Sequence, residues 1–156
     1  MPADTRYTSA KSRRTFTFDA ELEFKDAGLV AADAAATVDS SAKVVNLGTG
    51  LWKGQMVIDI TAIETDSSNE SYLIAVQLSN SSSFSSGIVY GAALKVGHSS
   101  TLVGGDTTST VGRYVLPFTN EGVDGACYQY CRLYTDVTGT IATGINYQAF
   151  AVQDLP

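Results

Sequence analysis

The chain has 156 residues, and its charged fraction of 17% is low against the roughly 25% usual for globular domains, while its hydrophobic fraction of 44% is ordinary. Its net charge of -6 is unevenly placed: residues 1–14 carry Arg6, Lys11, Arg13 and Arg14 against Asp4, and the remaining residues carry six basic groups against fifteen acids. An acidic body cannot offer the basic face that displaces counterions from nucleic acid, and no apolar run reaches the 18 residues of a membrane span, so neither partner is expected.

Length predicts one domain, with residues 1–15 as a basic N-terminal arm and residues 16–156 as the folded body. The arm is polar and lacks the apolar stretch of a secretion signal, which predicts synthesis and assembly in a cytoplasm. A short basic arm on an acidic body is suited to reach an acidic neighbour, including another copy of the same body.

Residues 16–24 place Phe16, Phe18, Leu22 and Phe24 on alternate positions, with a gap at Ala20, which predicts an early strand or extended segment. The alanine-rich residues 31–36 have helix propensity but no apolar stripe and no caps, so an irregular crossing is expected. From residue 43 the pattern is β. Residues 43–47 form a short strand closed by Gly48 and Gly50, and residues 56–64 follow, with Met56, Ile58, Ile60 and Ala62 on one face. Asp66, Ser67, Ser68, Asn69 and Glu70 signal a turn.

Residues 71–79 then align Tyr72, Ile74, Val76 and Leu78, and residues 88–96 form another strand ended by Gly97. The loop 98–110 is long for a compact domain, which marks it as functional or mobile. Residues 113–119 alternate Tyr114, Leu116 and Phe118, with Pro117 marking an edge or a bulge. Residues 127–135 set Tyr128, Tyr130, Arg132 and Tyr134 against Cys131 and Leu133, and residues 145–152 close the chain. Seven or eight alternating strands predict an all-β fold, an antiparallel β-sandwich or barrel, with a jelly roll as the leading architecture.

Residue types limit the chemistry. His98 is the only histidine, lies at a loop edge and reads as a solvated loop residue; no Gly-x-Ser-x-Gly elbow accompanies it. Cys127 and Cys131, four apart on a strand, stand about 13 Å apart, beyond the roughly 7 Å reach of a disulfide, and are expected as free thiols. They also make a poor zinc site. Asp66, Asn69 and Glu70, and likewise Glu121 and Asp124, are oxygen-rich but lack EF-hand spacing and read as polar turns. Gly104-Gly105 reads as a turn and not a phosphate cradle. The expectation is a non-enzymatic protein with no cofactor.

The Tyr128–Tyr130–Arg132–Tyr134 row is the most distinctive feature. Facing inward, Arg132 would be expensive unless paired; facing outward, Tyr and Arg are the residues that anchor protein interfaces. Cross-strand packing that stabilises a sheet is the structural reading of the same row, and a sugar-binding aromatic platform is the third.

The stretch Asp19-Ala-Glu-Leu-Glu-Phe, continuing through Ala31-Ala-Asp-Ala-Ala-Ala-Thr to Val44-Val-Asn-Leu-Gly48, resembles the opening of the small capsid cement (decoration) proteins of tailed bacteriophages. Val76-Gln-Leu-Ser-Asn80 with Phe84 and Gly87, and Gly112-Arg-Tyr-Val-Leu-Pro-Phe-Thr-Asn-Glu121 with Tyr130-Cys-Arg-Leu133 and Ile145-Asn-Tyr147, are similar to that family too. The resemblance covers residues 19–152; the basic arm and the Cys127–Cys131 stretch depart from the pattern. It implies a jelly-roll-like domain on the virion's outer capsid surface, a homo-oligomer (dimer or trimer) bound to the major capsid protein, without catalytic residues. Arg6, Lys11, Arg13, Arg14, Tyr128, Tyr130, Arg132 and Tyr134 are the candidate contacts. A carbohydrate-binding β-sandwich of a host-attachment structure is the alternative.

Overall fold

A computed structural model describes residues 16–154. Arg6, Lys11, Arg13 and Arg14 lie outside the described residues. The strands are β1 (Glu23–Lys25), β2 (Leu29–Val30), β3 (Ala34–Ala35), β4 (Thr37–Val38), β5 (Ser41–Ala42), β6 (Val45–Asn46), β7 (Lys53–Ile63), β8 (Ser71–Ser79), β9 (Val89–Gly97), β10 (Gly112–Thr119), β11 (Tyr130–Thr138) and β12 (Ile145–Gln153). All pairings are antiparallel.

One sheet runs β1-β12-β7-β10, with β2 extending the β1 edge along β12. The other runs β3-β11-β8-β9, with β6 extending the β3 edge along β11; β4 and β5 form a separate hairpin between those two pieces. Counting β1 with β2 and β3 with β6 as interrupted edge strands, eight strands remain. In chain order they run 1-8-3-6 in the first sheet and 2-7-4-5 in the second, which is the double Greek key of a jelly roll. The sandwich inferred from alternation is therefore the observed fold.

Alternation explains the core. Met56, Ile58 and Ile60 of β7 and Ile145, Tyr147, Ala149 and Ala151 of β12 face Tyr72, Ile74, Val76 and Leu78 of β8 and Cys131 and Leu133 of β11. Each large side chain buried this way contributes roughly 1.5–3 kcal/mol. The two polar tips in this core are satisfied: the Tyr147 hydroxyl pairs with Thr135 Oγ1 at 2.6 Å, joining the sheets, and the Tyr72 hydroxyl donates to the Glu64 carbonyl at 2.9 Å. Burial pushes both phenols up to about 12. Both cysteines are free; Cys131 is fully buried, and burial pushes its thiol up strongly.

Two sequence expectations change. Residues 16–24 are not one strand, because a 3₁₀ turn, Ala20–Leu22, capped by Asp19, takes up the gap at Ala20. The strand expected from residue 127 begins at Tyr130; Cys127 makes only an isolated bridge to Glu121 across the turn. The loop 98–110 is internally braced by the turns Ser99–Thr101 and Val103–Gly105 and by bonds from Ser99 N to Thr108 Oγ1 and from Ser109 N to the Gly97 carbonyl. His98 accepts from Ser100 N at its start, a capping role. Pro117 does sit on an edge strand, where its missing N–H costs no ladder bond.

One end of the sandwich is fastened by a carboxylate. Glu64 accepts the N–H groups of Ala142, Thr143 and Gly144 at 2.8–3.1 Å, tying β7 to the β11–β12 loop. The Gly144, Thr143 and Ala142 bonds favour the ionised form and hold its carboxyl below the usual glutamate range. A depressed carboxylate stabilises the fold fully above the unfolded value, about 4.3, and loses that contribution as pH falls through the folded value. Glu64→Gln should therefore flatten the fall of Tm between about pH 5 and pH 3; parallel Tm–pH curves for the two proteins would contradict this.

Candidate functional site

The outer face of the β3-β11-β8-β9 sheet follows from the β11 register. Cys131, Leu133 and Thr135 are buried inward, so Tyr130, Arg132 and Tyr134 project outward. Directly across from them on β8 stand Ser79, Gln77 and Ala75, and beyond these on β9 stand Tyr90, opposite Gln77, and Ala93, opposite Ala75. Tyr128 does not join this row. It precedes β11, packs against the core and is held by its own N–H, which donates to the Asn120 carbonyl at 2.8 Å. Three of the four expected residues thus share a face, and the fourth is part of the loop that supports it.

Arg132 is the hub of the face. Its Nε donates to Gln77 Oε1 at 2.8 Å, and its guanidinium lies 4.4 Å from the Phe84 ring and 5.3 Å from the Tyr134 ring. Burial works against its charge, with Tyr134 opposing that effect, and cation–π contact compensates for lost water. Phe84 comes from the serine-rich β8–β9 loop, which folds back over the sheet: Ser79 Oγ donates to the Ser86 carbonyl at 2.8 Å and accepts from Ser81 N at 3.0 Å. Phe84 is only 6% exposed, and its φ of 53° is uncommon for an aromatic residue. The loop therefore holds Arg132 in one orientation, while Tyr90 stays 53% exposed in the same cross-strand row.

Tyr90 and Phe84 escape sequence reading. Between Val76 and Gln77 the β8–β9 register shifts, and Gly91, whose missing Cβ would press on Leu78 at 3.0 Å, marks the bulge. The bulge reverses which β9 residues face outward, so simple alternation cannot place Tyr90.

Several other polar groups are engaged in bonds that hold the fold. Lys25, 5% exposed, donates to the carbonyls of Asp26, Gly28 and Tyr147 at 2.9–3.0 Å, and burial lowers its pKa while Asp26 opposes this. Glu70 is fully buried in the β7–β8 turn, where its carboxylate accepts from Ser67 N and Asn69 N. The expected oxygen cluster at Asp66, Asn69 and Glu70 is thus a turn closed on itself. On the outer face of the other sheet Arg113 pairs with Asp59 through two bonds of 2.7 and 2.9 Å, and Phe18 meets Phe150 edge-on at 5.5 Å. Among the described residues no group of three or more His, Cys, Asp or Glu side chains is placed to hold a metal ion, and no helix is long and apolar enough to cross a membrane. What the Tyr–Arg face offers is aromatic area and fixed hydrogen-bonding groups.

The chain matches no protein-family model, and a search of curated proteins finds no match to it.

Proposed function

We propose that this protein is a non-enzymatic structural component of a tailed-phage virion that binds the outside of the capsid and holds neighbouring major capsid subunits together. The observation that carries this reading is the outward row of Tyr130, Arg132 and Tyr134, set rigidly on a central strand and widened by Tyr90. Tyr and Arg are enriched among the residues that dominate interface binding energy: Tyr offers a large contact area with few rotors to freeze, and the flexible Arg132 is here already held by Gln77 and Phe84. The resemblance of residues 19–152 to capsid cement proteins supports the same reading.

The physical effect is linkage. A ligand that binds only the closed lattice adds its binding free energy to what must be lost before subunits part. Several copies, or an oligomer that touches several subunits, multiply the effect without any new type of contact. The partners are then the major capsid protein and further copies of this chain, at the outer capsid surface. Capsids lacking the protein should bind it when it is added back, sediment with it and gain density on their outside. Protein that stays in the supernatant at micromolar concentration would overturn the reading. The same face has the makeup of a sugar platform, since the exposed Tyr90 ring adjoins the hydrogen-bonding pair Arg132–Gln77. Binding to a glycan array rather than to capsids would favour that alternative.

A further inference from the structure

The described residues hold two arginines, and the fold treats them differently. Arg113 is neutralised within the molecule, giving two bonds of 2.7 and 2.9 Å to the Asp59 carboxylate. Arg132 has no carboxylate partner among the described residues. Its hydrogen bond runs from Nε to a neutral amide oxygen, Gln77 Oε1, at 2.8 Å. The two Nη groups, which carry the rest of its N–H donors, have no hydrogen-bond partner among the described residues. No buried polar side-chain atom there lacks a partner, so the Nη groups reach the surface of the face.

The rows around Arg132 supply no acid: Ser79, Gln77 and Ala75 stand on β8, and Tyr90 and Ala93 on β9. Asp136 stands further along β11, opposite Leu73. The guanidinium is also held in place, with its carbon 4.4 Å from the centre of the Phe84 ring and 5.3 Å from that of Tyr134. Burial works against its charge, with Tyr134 opposing that effect, so an anion at the Nη groups would relieve a cost that the fold leaves standing.

A carboxylate meets both Nη groups at once through two parallel charge-assisted bonds, whereas a carbonyl or a hydroxyl presents a single oxygen. The surroundings favour a side chain on a protein over a free anion. Tyr130, Tyr134 and the half-exposed Tyr90 offer contact area around the guanidinium that a small ion would leave unused.

We propose that the Nη fork of Arg132 receives an Asp or Glu side chain of the capsid subunit, seated among Tyr130, Tyr134 and Tyr90. This rests on the capsid-binding reading and adds to it the charge of the partner residue at the centre of the contact.

The test compares untreated capsids with capsids whose surface carboxylates have been converted to amides by carbodiimide and methylamine and which microscopy shows to be intact. Co-sedimentation with the full chain gives an affinity for each. Amidation should weaken wild-type binding about tenfold or more. Gln77→Glu sets a carboxylate against Arg132 from within the face and keeps Arg132, Phe84 and the three tyrosines in place. That variant should melt within a few degrees of the wild type and bind untreated capsids about tenfold more weakly. It should also lose less on amidation than the wild type does, because two changes that act on one contact are not additive. Wild-type binding that amidation leaves unchanged overturns the proposal. So does a Gln77→Glu protein that binds as tightly as the wild type, or one that loses as much on amidation. A wild type that does not bind untreated capsids overturns the capsid reading itself.

Discussion

Asn120→Ala should destabilise the protein by about 3 kcal/mol and lower its Tm by roughly 6–12 °C, more than any single surface change. Asn120 is fully buried at the end of β10. Its Oδ1 accepts from Trp52 N at 2.7 Å, and its Nδ2 donates to the carbonyls of Gly50 and Tyr128 at 2.9 and 3.0 Å. Its backbone adds bonds to the Trp52 carbonyl and from Tyr128 N. One side chain therefore fastens the segment before β7 to the segment before β11. Alanine would leave the buried Trp52 N–H without its partner, a loss of about 1–3 kcal/mol, and would strip the partly buried Gly50 and Tyr128 carbonyls of theirs at smaller cost. Because Tyr128 leads directly into Tyr130, the same substitution should loosen the outer face. Chemical denaturation measures the loss; a change below about 1 kcal/mol would show that water or a shifted loop replaces these bonds.

Tyr130→Ala combined with Tyr134→Ala should weaken capsid binding about 100-fold while leaving Tm within a few degrees of the wild type. Neither ring packs against the buried cluster, unlike Tyr128. Interface tyrosines commonly contribute 1–2 kcal/mol or more each, and 1.4 kcal/mol is tenfold in affinity. Arg132→Ala belongs to the same series but is less clean, because it also strips Gln77, only 6% exposed, of its bond and Phe84 of its stacking partner. Co-sedimentation with capsids and thermal melts of the same preparations separate loss of contact from loss of fold. Unchanged affinity in the double variant would move the contact surface elsewhere.

Strand patterning carried most of the fold. Tyr72, Ile74, Val76 and Leu78 announce β8 because a strand with one face on a core must alternate, and the observed strand has the bounds the alternation predicts. Pro117 likewise announces an edge, since it can donate no ladder bond. The order of strands was not legible, because it is set by which edges meet across long loops and not by local pattern. For the site, Arg132 between Tyr130 and Tyr134 was visible as a row, and the burial of Cys131 and Leu133 fixed its direction. Tyr128 was misplaced because Asn120 and the Glu121–Cys127 bridge hold it before the strand begins. Phe84 and Tyr90 were hidden by a folded-back loop and a bulge. Lys25 and Glu70 look solvated in sequence, but each is drawn inward by main-chain partners that only the fold supplies.

The most direct measurement of the central claim is heat-induced DNA release from particles assembled with and without this protein, imaged in parallel. Particles with it should show added density on the outer capsid surface and release DNA at a higher temperature, and adding purified protein to depleted particles should restore both. Equal release temperatures, or an outer surface that does not change with the protein, would contradict the account.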